Sequence, residues 1–502
     1  MHTPKQGRRE FVRFLGTVGA LSLARGRATA QDRALIPVKV KKKPGDPWVL
    51  YHARTVDKLE GFVPGSRRIV RSKYGGRADK RLGATGFFRT AKVDGRWWLV
   101  DPEGFLFTNA GVNAVRPGNG VTFGSSRANR EAMQEKYGSL ERWAEGVAAL
   151  LRKYGFNGSG GFSAVDLMRG VSNRLPYTVS LSFMNSFQNH RRKLAGARGP
   201  GYPKKCIPVF DPGFEPYCDE YAKTVAAYRD DPYLLGYFSD NELAAPEDLL
   251  DVYLALDASE RGIAAGREAT RSWLLKRKGP GKPGTGVLTD EDRDAFRELA
   301  LSRYYEITTR AIRKYDPNHL CLGSRLLSDQ LGSRGIMSAA ARYLDVISVN
   351  VYWRWQLPSE WTDLWRRVAG KPLLVTEFYA KGEDAGRKYG LKNQTGAGWI
   401  VPTQRDRALF YQHFALAVME CRQCVGWHWF KYMDNDPEDT TTDPSNRDSN
   451  KGIVTIRYEP YAEMLDGMRA LNRETYALID YFDHQVRPQV SGEMVHRGIR
   501  RG

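Results

Sequence analysis

Short apolar segments alternate with longer amphipathic stretches from Val112 to Trp429, and this alternation constrains the fold more than any other feature. The segments are Val112-Asn113-Ala114-Val115, the stretch after Gly155-Phe156-Asn157, Tyr177-Thr178-Val179-Ser180-Leu181, Leu234-Leu235-Gly236-Tyr237-Phe238, Leu320-Cys321-Leu322-Gly323, Val346-Ile347-Ser348-Val349-Asn350, Leu373-Leu374-Val375-Thr376 and Val425-Gly426-Trp427-His428-Trp429. Most are apolar along their whole length, the pattern of a parallel strand covered on both faces. Helical patterns lie between them. Trp143, Val147, Leu150, Leu151 and Tyr154, for example, fall on one helical face. Strand and helix alternating eight times predict an α/β fold, a (β/α)8 TIM barrel. The barrel is expected over 105–485 and closes with an amphipathic helix from Tyr461 to Phe482. That span exceeds the usual ~250 residues, so long βα loops are expected. They fall at 186–220 and 431–455, with a flexible Gly/Pro connection at 279–286.

Residues 31–104 read as an N-terminal extension. Its first part, to about 70, is a linker or wrapped segment rich in Lys, Pro and Arg. A β-meander follows: Phe87–Val93, a turn at Asp94-Gly95, Trp97–Val100, a turn at Asp101–Gly104, and Phe105–Thr108 beginning the next strand. Residues 1–30 have the form of a twin-arginine signal, with Arg8-Arg9, a modestly apolar stretch to Ala24 and an Ala28-Thr29-Ala30 cleavage site. The alternative is a basic disordered tail. The signal predicts a bacterial periplasmic or secreted protein. Residues 486–502 form a basic C-terminal tail.

Composition narrows the class. Hydrophobic residues at 41% exclude a disordered chain. No apolar run approaches the ~20 residues of a membrane span. Lys plus Arg total 77 against 57 Asp plus Glu, a formal charge of +20. Export removes nucleic acid as the partner. What is left is solvated surface, or attraction to an anionic polymer such as a sulfated polysaccharide. Arg191-Arg192-Lys193, Lys204-Lys205, Lys276-Arg277-Lys278 and Arg497–Arg501 are the local clusters. The 12 Trp, 25 Tyr and 21 Phe suit either a core or sugar-stacking walls.

The five cysteines, Cys206, Cys218, Cys321, Cys421 and Cys424, are odd in number and scattered, so they read as structural. Cys421-x-x-Cys424 has metal spacing, but no second pair answers it. No His-x-His or His-Glu-x-x-His arrangement occurs, and neither metal nor cofactor is called for. The Asp/Asn-rich stretch 434–450 offers oxygen ligands but lacks EF-hand order. Asx side chains capping turns explain it more simply, and contact with substrate is a third reading.

Barrel chemistry sits where strands end at the C-terminal face. The fourth strand ends Ser239-Asp240-Asn241-Glu242 and the seventh ends Thr376-Glu377-Phe378. The sixth ends Asn350-Val351-Tyr352-Trp353, and the eighth carries Trp427, Trp429 and Lys431. A single Glu at a strand end is as often the structural partner of an Arg. Two on opposite sides of one mouth can flank one bond, as glycoside hydrolysis requires. Asn241, just before Glu242, can meet a sugar 2-hydroxyl. His428, one position from Trp427, should face the other way and reads as a packed residue.

Several blocks resemble the β-agarase-like branch of clan A glycoside hydrolases, near glycoside hydrolase family 50. They are Gly95–Gly104, Gly236–Leu243, Asp316-Pro317-Asn318-His319-Leu320, Val375-Thr376-Glu377-Phe378 and Gly426–Tyr432, within a resemblance running from Gly86 to Phe482. The resemblance implies a retaining double displacement, with Glu242 as acid/base and Glu377 as nucleophile. Tyr352 would hydrogen-bond Glu377, and Asn113 and Trp427 would line the subsite of the attacked sugar, with packing of the barrel rim as the alternative for Tyr352 and Trp427. Asn350, Trp353, Trp429 and Lys431 complete the expected substrate-binding set. The expected substrate is a β-linked galactan, agarose first. A sulfated galactan of porphyran or carrageenan type is second, with Arg191–Lys193 and Lys204-Lys205 meeting sulfate. An exported polysaccharide-binding protein on an inactive barrel is third.

Overall fold

The computed structural model describes residues 35–118, 126–194, 202, 206–257, 259, 261–279, 287–439 and 447–484. The expected signal at 1–30, Lys204-Lys205, all but Gly279 of the 279–286 connection and the tail at 486–502 lie outside the described residues. So do residues 440–446 of the loop after the eighth strand.

Two strands, β1 (Ile36–Val40) and β2 (Val49–Ala53), pair antiparallel at the start of the chain. The segment lies on the barrel flank. The Arg54 guanidinium donates to both Glu420 oxygens at 2.6 and 2.8 Å, and Trp355 Nε1 donates to the His52 carbonyl at 2.8 Å. A four-stranded antiparallel sheet follows, made of β3 (Arg77–Arg81), β4 (Arg89–Val93), β5 (Arg96–Val100) and β6 (Phe105–Phe107), in the order β3-β6-β5-β4. Tight turns at Asp94-Gly95 and at Gly104 supply the connections, as read from sequence. Phe105–Phe107 belongs wholly to this sheet, so the barrel begins at Asn109 rather than 105.

The barrel strands are β7 (Asn109–Val112), β8 (Gly158–Ser159), β9 (Tyr177–Ser180), β10 (Leu234–Phe238), β11 (Leu320–Gly323), β12 (Leu326–Leu327), β13 (Ile347–Asn350) and β14 (Leu373–Phe378). A small parallel pair, β15 (Ala380–Gly382) and β16 (Trp399–Val401), precedes the last barrel strand, β17 (Cys424–Trp429). All neighbours in the main sheet are parallel, in the order β11-β10-β9-β8-β7-β17-β14-β13-β12. Its two ends are halves of one strand. Ser324-Arg325 breaks the expected fifth strand, so β11 pairs with β10 while β12 pairs with β13. The ring thus comes round to eight strands, one of them bent.

The barrel strands separate an inner from an outer layer. Within β10, Leu235 packs in one cluster with Leu320, Leu322, Val346, Leu374 and Val425 inside the lower barrel. Leu99 and Phe107 of the antiparallel sheet, with Phe88 just before β4, join the same cluster, so that sheet plugs the N-terminal end of the barrel. Leu234 and Tyr237 belong to the outer cluster with the helices; Tyr237, two residues on from Leu235, reaches the other face because the register of β10 is irregular. The helices Leu140–Lys153, Asp290–Tyr315, Gln404–Glu420 and Ala462–His484 contribute to that outer layer. Trp143, Val147 and Leu151 are each fully buried on the predicted helical face. With one end plugged, the open end is the C-terminal one, where the strand-end residues gather.

The Asp316-Pro317-Asn318-His319 block is structural. His319 Nδ1 meets Asp316 Oδ2 at 2.7 Å, its Nε2 meets the Asp231 carbonyl at 2.9 Å, and Tyr237 donates to Asp316 at 2.5 Å. These bonds anchor the entry into β11. Asp434, in the 431–455 loop, accepts from Asn450 Nδ2 at 2.9 Å, Gly452 N at 2.8 Å and Tyr461 Oη at 2.5 Å. Its oxygens therefore serve the loop itself, and no group of three or more His, Cys, Asp and Glu able to hold a metal is found among the described residues.

Candidate active site

Among the described residues, six of the ten non-glycine residues with positive φ stand within a few residues of the end of a barrel strand: Ala114, Phe162, Glu242, Arg325, Ser328 and Trp353. A left-handed conformation costs a non-glycine residue of order 1–2 kcal/mol, so such residues concentrate where geometry matters more than local stability. Glu242 stands four residues past the end of β10 with a φ of 51°, and its amide donates to the Ser324 carbonyl at 3.0 Å. At Arg325 the φ of 53° breaks strand five and sends the guanidinium into the barrel mouth.

There Arg325 Nη2 donates to Glu377 Oε1 and, at 3.2 Å, to the Thr376 carbonyl. Tyr352 Oη donates to Glu377 Oε2. Both oxygens of buried Glu377 therefore accept hydrogen bonds, one of them charge-assisted, which fixes the carboxyl in place. The Arg325 guanidinium lies 4.8 Å from the Phe162 ring centre and 5.2 Å from that of Phe238, so it is held between two rings.

Glu242 is half-buried and accepts from Asn350 Nδ2 at 3.0 Å. Asn350 Oδ1 accepts in turn from Thr376 Oγ1 at 2.7 Å, so one chain of hydrogen bonds joins Glu242 to the residue beside Glu377. Burial pushes the Glu242 carboxyl above its ordinary range, and the Glu377 charge adds to this. The Asn350 bond and the charges of Arg325 and Lys451 pull the other way. Two carboxyls that sense each other, one ion-paired with an arginine and one biased to the acid, can divide acid and base chemistry between them.

Asn241 is exposed and makes no side-chain hydrogen bond among the described residues, leaving it open to a ligand. Tyr352 and Trp353 are half-buried and line a cavity beside the glutamates. Asn113 is buried, and its Nδ2 donates to the Thr376 carbonyl at 2.5 Å. It supports the strand that carries Glu377.

The eighth strand departs from expectation. Trp427 is fully buried and its Nε1 donates to Tyr411 Oη at 2.8 Å, on the helix Gln404–Glu420. Trp429, also fully buried, donates to the Lys451 carbonyl at 2.9 Å and meets Phe378 and Phe410. Both therefore face the helices and not the cleft. His428, of opposite parity, turns inward, where its Nε2 meets Asn109 Oδ1 at 2.6 Å. Burial, with the Arg325 charge second, depresses its pKa to about 3, so it stays neutral. Lys431 is buried too. Burial lowers its pKa well below normal, as do the charges of Arg116 and Lys451, so it is not an exposed cation of the cleft.

The aromatic that the strand does offer is half-buried Phe430, 5.9 Å from Tyr379 between ring centres, with Lys451 Nζ over both rings at 5.5 and 4.8 Å. Arg325, Phe430, Tyr379 and Lys451 were not singled out from sequence. Arg325 and Phe430 were within reach, since Phe430 directly follows a strand segment and Arg325 comes two residues after one.

A plugged barrel with two glutamates at the ends of its fourth and seventh strands has the layout of a barrel glycoside hydrolase. The crystal structure of BpGH50 is similar at 31% sequence identity over 89% of this chain and 96% of that one, with a TM-score of 0.76. The chain belongs to glycoside hydrolase family 50. Beta-agarase B of Vibrio sp. (strain JT0107) is 26% identical over 81% of this chain and 50% of its own length. Beta-agarase A of the same strain is 25% identical over 81% of this chain and 48% of its own length. The chain thus spans about half the length of the curated relatives it matches. The structure of an exo-beta-agarase shares the fold, with a TM-score of 0.66 at 22% identity over 83% of this chain and 68% of that one. No family model matches the chain.

Proposed function

We propose that the protein hydrolyses a β-linked galactan of the agarose type by a retaining double displacement. Glu377 is the nucleophile, because the Arg325 ion pair and the Tyr352 hydroxyl fix both its oxygens at the mouth. Glu242 is the acid/base, because burial and the neighbouring charge keep a proton on it when the substrate arrives. Glu242 gives that proton to the leaving oxygen as Glu377 attacks the anomeric carbon, and then takes one from the water that releases the sugar. Asn241 meets the 2-hydroxyl of the attacked sugar. What carries this reading is the meeting of Glu242 and Glu377 at one barrel mouth, joined through Asn350 and Thr376. Its agarose-type substrate rests on the names of the curated relatives. A polymer is met outside the cytoplasm, which accords with export by the Arg8-Arg9 signal.

Reducing-end release from agarose tests the proposal. Glu242→Gln and Glu377→Gln are each expected to lower kcat/KM by at least about 10³-fold, or ~4 kcal/mol of barrier, while still folding. NMR of the first product should show the same anomeric configuration as the bond cleaved. Full activity in the Glu377 variant, or an inverted product, would overturn the assignment.

A further inference from the structure

A cavity of about 920 Å³ opens beside Tyr352 and Trp353, within the size range of ligand sites. Its walls come from the connection between β1 and β2, the loops after β10, β12 and β13, and the start of the helix Asp290–Tyr315, the side of the mouth that carries Glu242. The carboxylates on these walls are mostly occupied. Asp290 pairs with Arg293 at 3.3 Å, Asp329 pairs with Arg297 at 2.5 Å, and Asp294 accepts from Ser333 Oγ at 2.5 Å and Gly335 N at 2.8 Å. Glu247 makes no ion pair among the described residues.

The cations are less engaged. Lys42, Arg334 and Arg354 line the cavity, are exposed, and make no ion pair among the described residues. Lys42 Nζ lies 5.7 Å from the Trp353 ring and 6.0 Å from that of Trp399, and the Arg354 guanidinium lies 5.1 Å from Trp361. Three cations without an ion pair face two carboxylates without one, Glu247 and the hydrogen-bonded Asp294, on walls that also present Trp353 and Trp361 for stacking. Such a surface reads a sugar chain that carries negative charge. The cluster singled out from sequence is less suited to this. Arg191 is already paired with Asp211 at 2.9 Å, and Arg192 reaches Asn189 Oδ1 at 3.4 Å.

We infer that this cavity is a subsite for an anionic substituent, a sulfate ester or a carboxylate, on the part of a galactan chain that leaves with the proton from Glu242, and that Arg334 and Arg354 are its principal donors. Which part of the chain arrives there rests on the proposed hydrolysis; the preference for charge does not. The test is calorimetric titration of the full chain carrying Glu242→Gln, so that no probe is turned over. The probes are three β-linked galactan hexasaccharides: neutral, bearing one sulfate ester, and bearing one carboxylate. At low salt a charged probe is expected to bind at least about tenfold more tightly than the neutral one, an advantage that shrinks as salt is raised. A sulfate-only advantage would mean that the substituent's geometry is read, and an equal advantage for the carboxylate that charge suffices. Both support the inference.

Adding Arg334→Ala and Arg354→Ala together should bring the charged probes to the neutral affinity with the melting temperature preserved. Equal binding of all three probes, or an advantage that survives the double substitution, would overturn it. Failure of the hydrolase reading is seen separately, as no reducing-end release by the unsubstituted protein.

Discussion

Glu242 carries two distinct burdens, and one of them can be removed without touching the residue. Burial disfavours its charged form, and the Glu377 anion disfavours it further, so its carboxyl titrates above the ordinary range. Activity that needs its proton is therefore expected to persist above the ordinary carboxyl range and to fall as pH rises through the raised value. Glu377→Gln deletes the second cause and leaves the first. The Glu242 carboxyl, followed by carbon-13 NMR, should titrate lower in that variant than in the parent. An unchanged or higher value would mean that the two glutamates do not share a field. Of the residues around this pair, Glu242, Glu377, Asn350 and Tyr352 were legible in sequence because each closes a strand. Trp427 and Trp429 were placed on the wrong face because a strand apolar on both sides gives no alternation from which to read direction. Only the packing reveals that His428 turns inward. Arg325 escaped notice because a strand was expected to run straight, and this one bends at a positive φ that sequence does not announce.

The strands themselves were readable to within a few residues, since short apolar runs between helical patterns leave little choice. What the runs could not convey was how closely neighbouring strands approach. A Cβ at Gly236 would collide with the backbone carbonyl of Leu320, where β10 pairs with β11. The close contact is with main chain, so no side-chain rotation relieves it. Gly236→Ala is expected to destabilise the fold by about 1–3 kcal/mol, the usual range for an overpacked core position. Because β10 delivers Glu242 and β11 leads to Arg325, the same substitution should also lower kcat. Chemical denaturation with steady-state kinetics measures both. A variant as stable and as active as its parent would mean that the two strands have slack between them.

At the scale of the molecule, the plugged end and the open end do different work and should be separable. The antiparallel sheet is tied to the last helix by Arg77, whose Nη1 and Nη2 donate to Asp480 at 2.6 and 2.7 Å while its Nε holds Asp79 at 2.8 Å. Arg77 is fully buried, so losing a partner leaves a charge that water cannot reach. Asp480→Asn is expected to cost about 2–4 kcal/mol, somewhat below a full buried-pair loss because Asp79 remains. The cost should also depend on pH. Burial pushes the Asp480 carboxyl up, but the Arg77 hydrogen bonds and charge outweigh this and hold it below its unfolded value. Its contribution is therefore present above about pH 4 and fades as pH falls through the depressed folded value. The stability gap between parent and variant should narrow in acid for that reason. Hydrogen exchange should quicken in 77–81 and 462–484, while kcat/KM at 25 °C stays within about twofold, since these residues sit at the end of the barrel opposite the glutamates. A loss of activity equal to the loss of stability would show that the plug and the mouth fold and work as one unit.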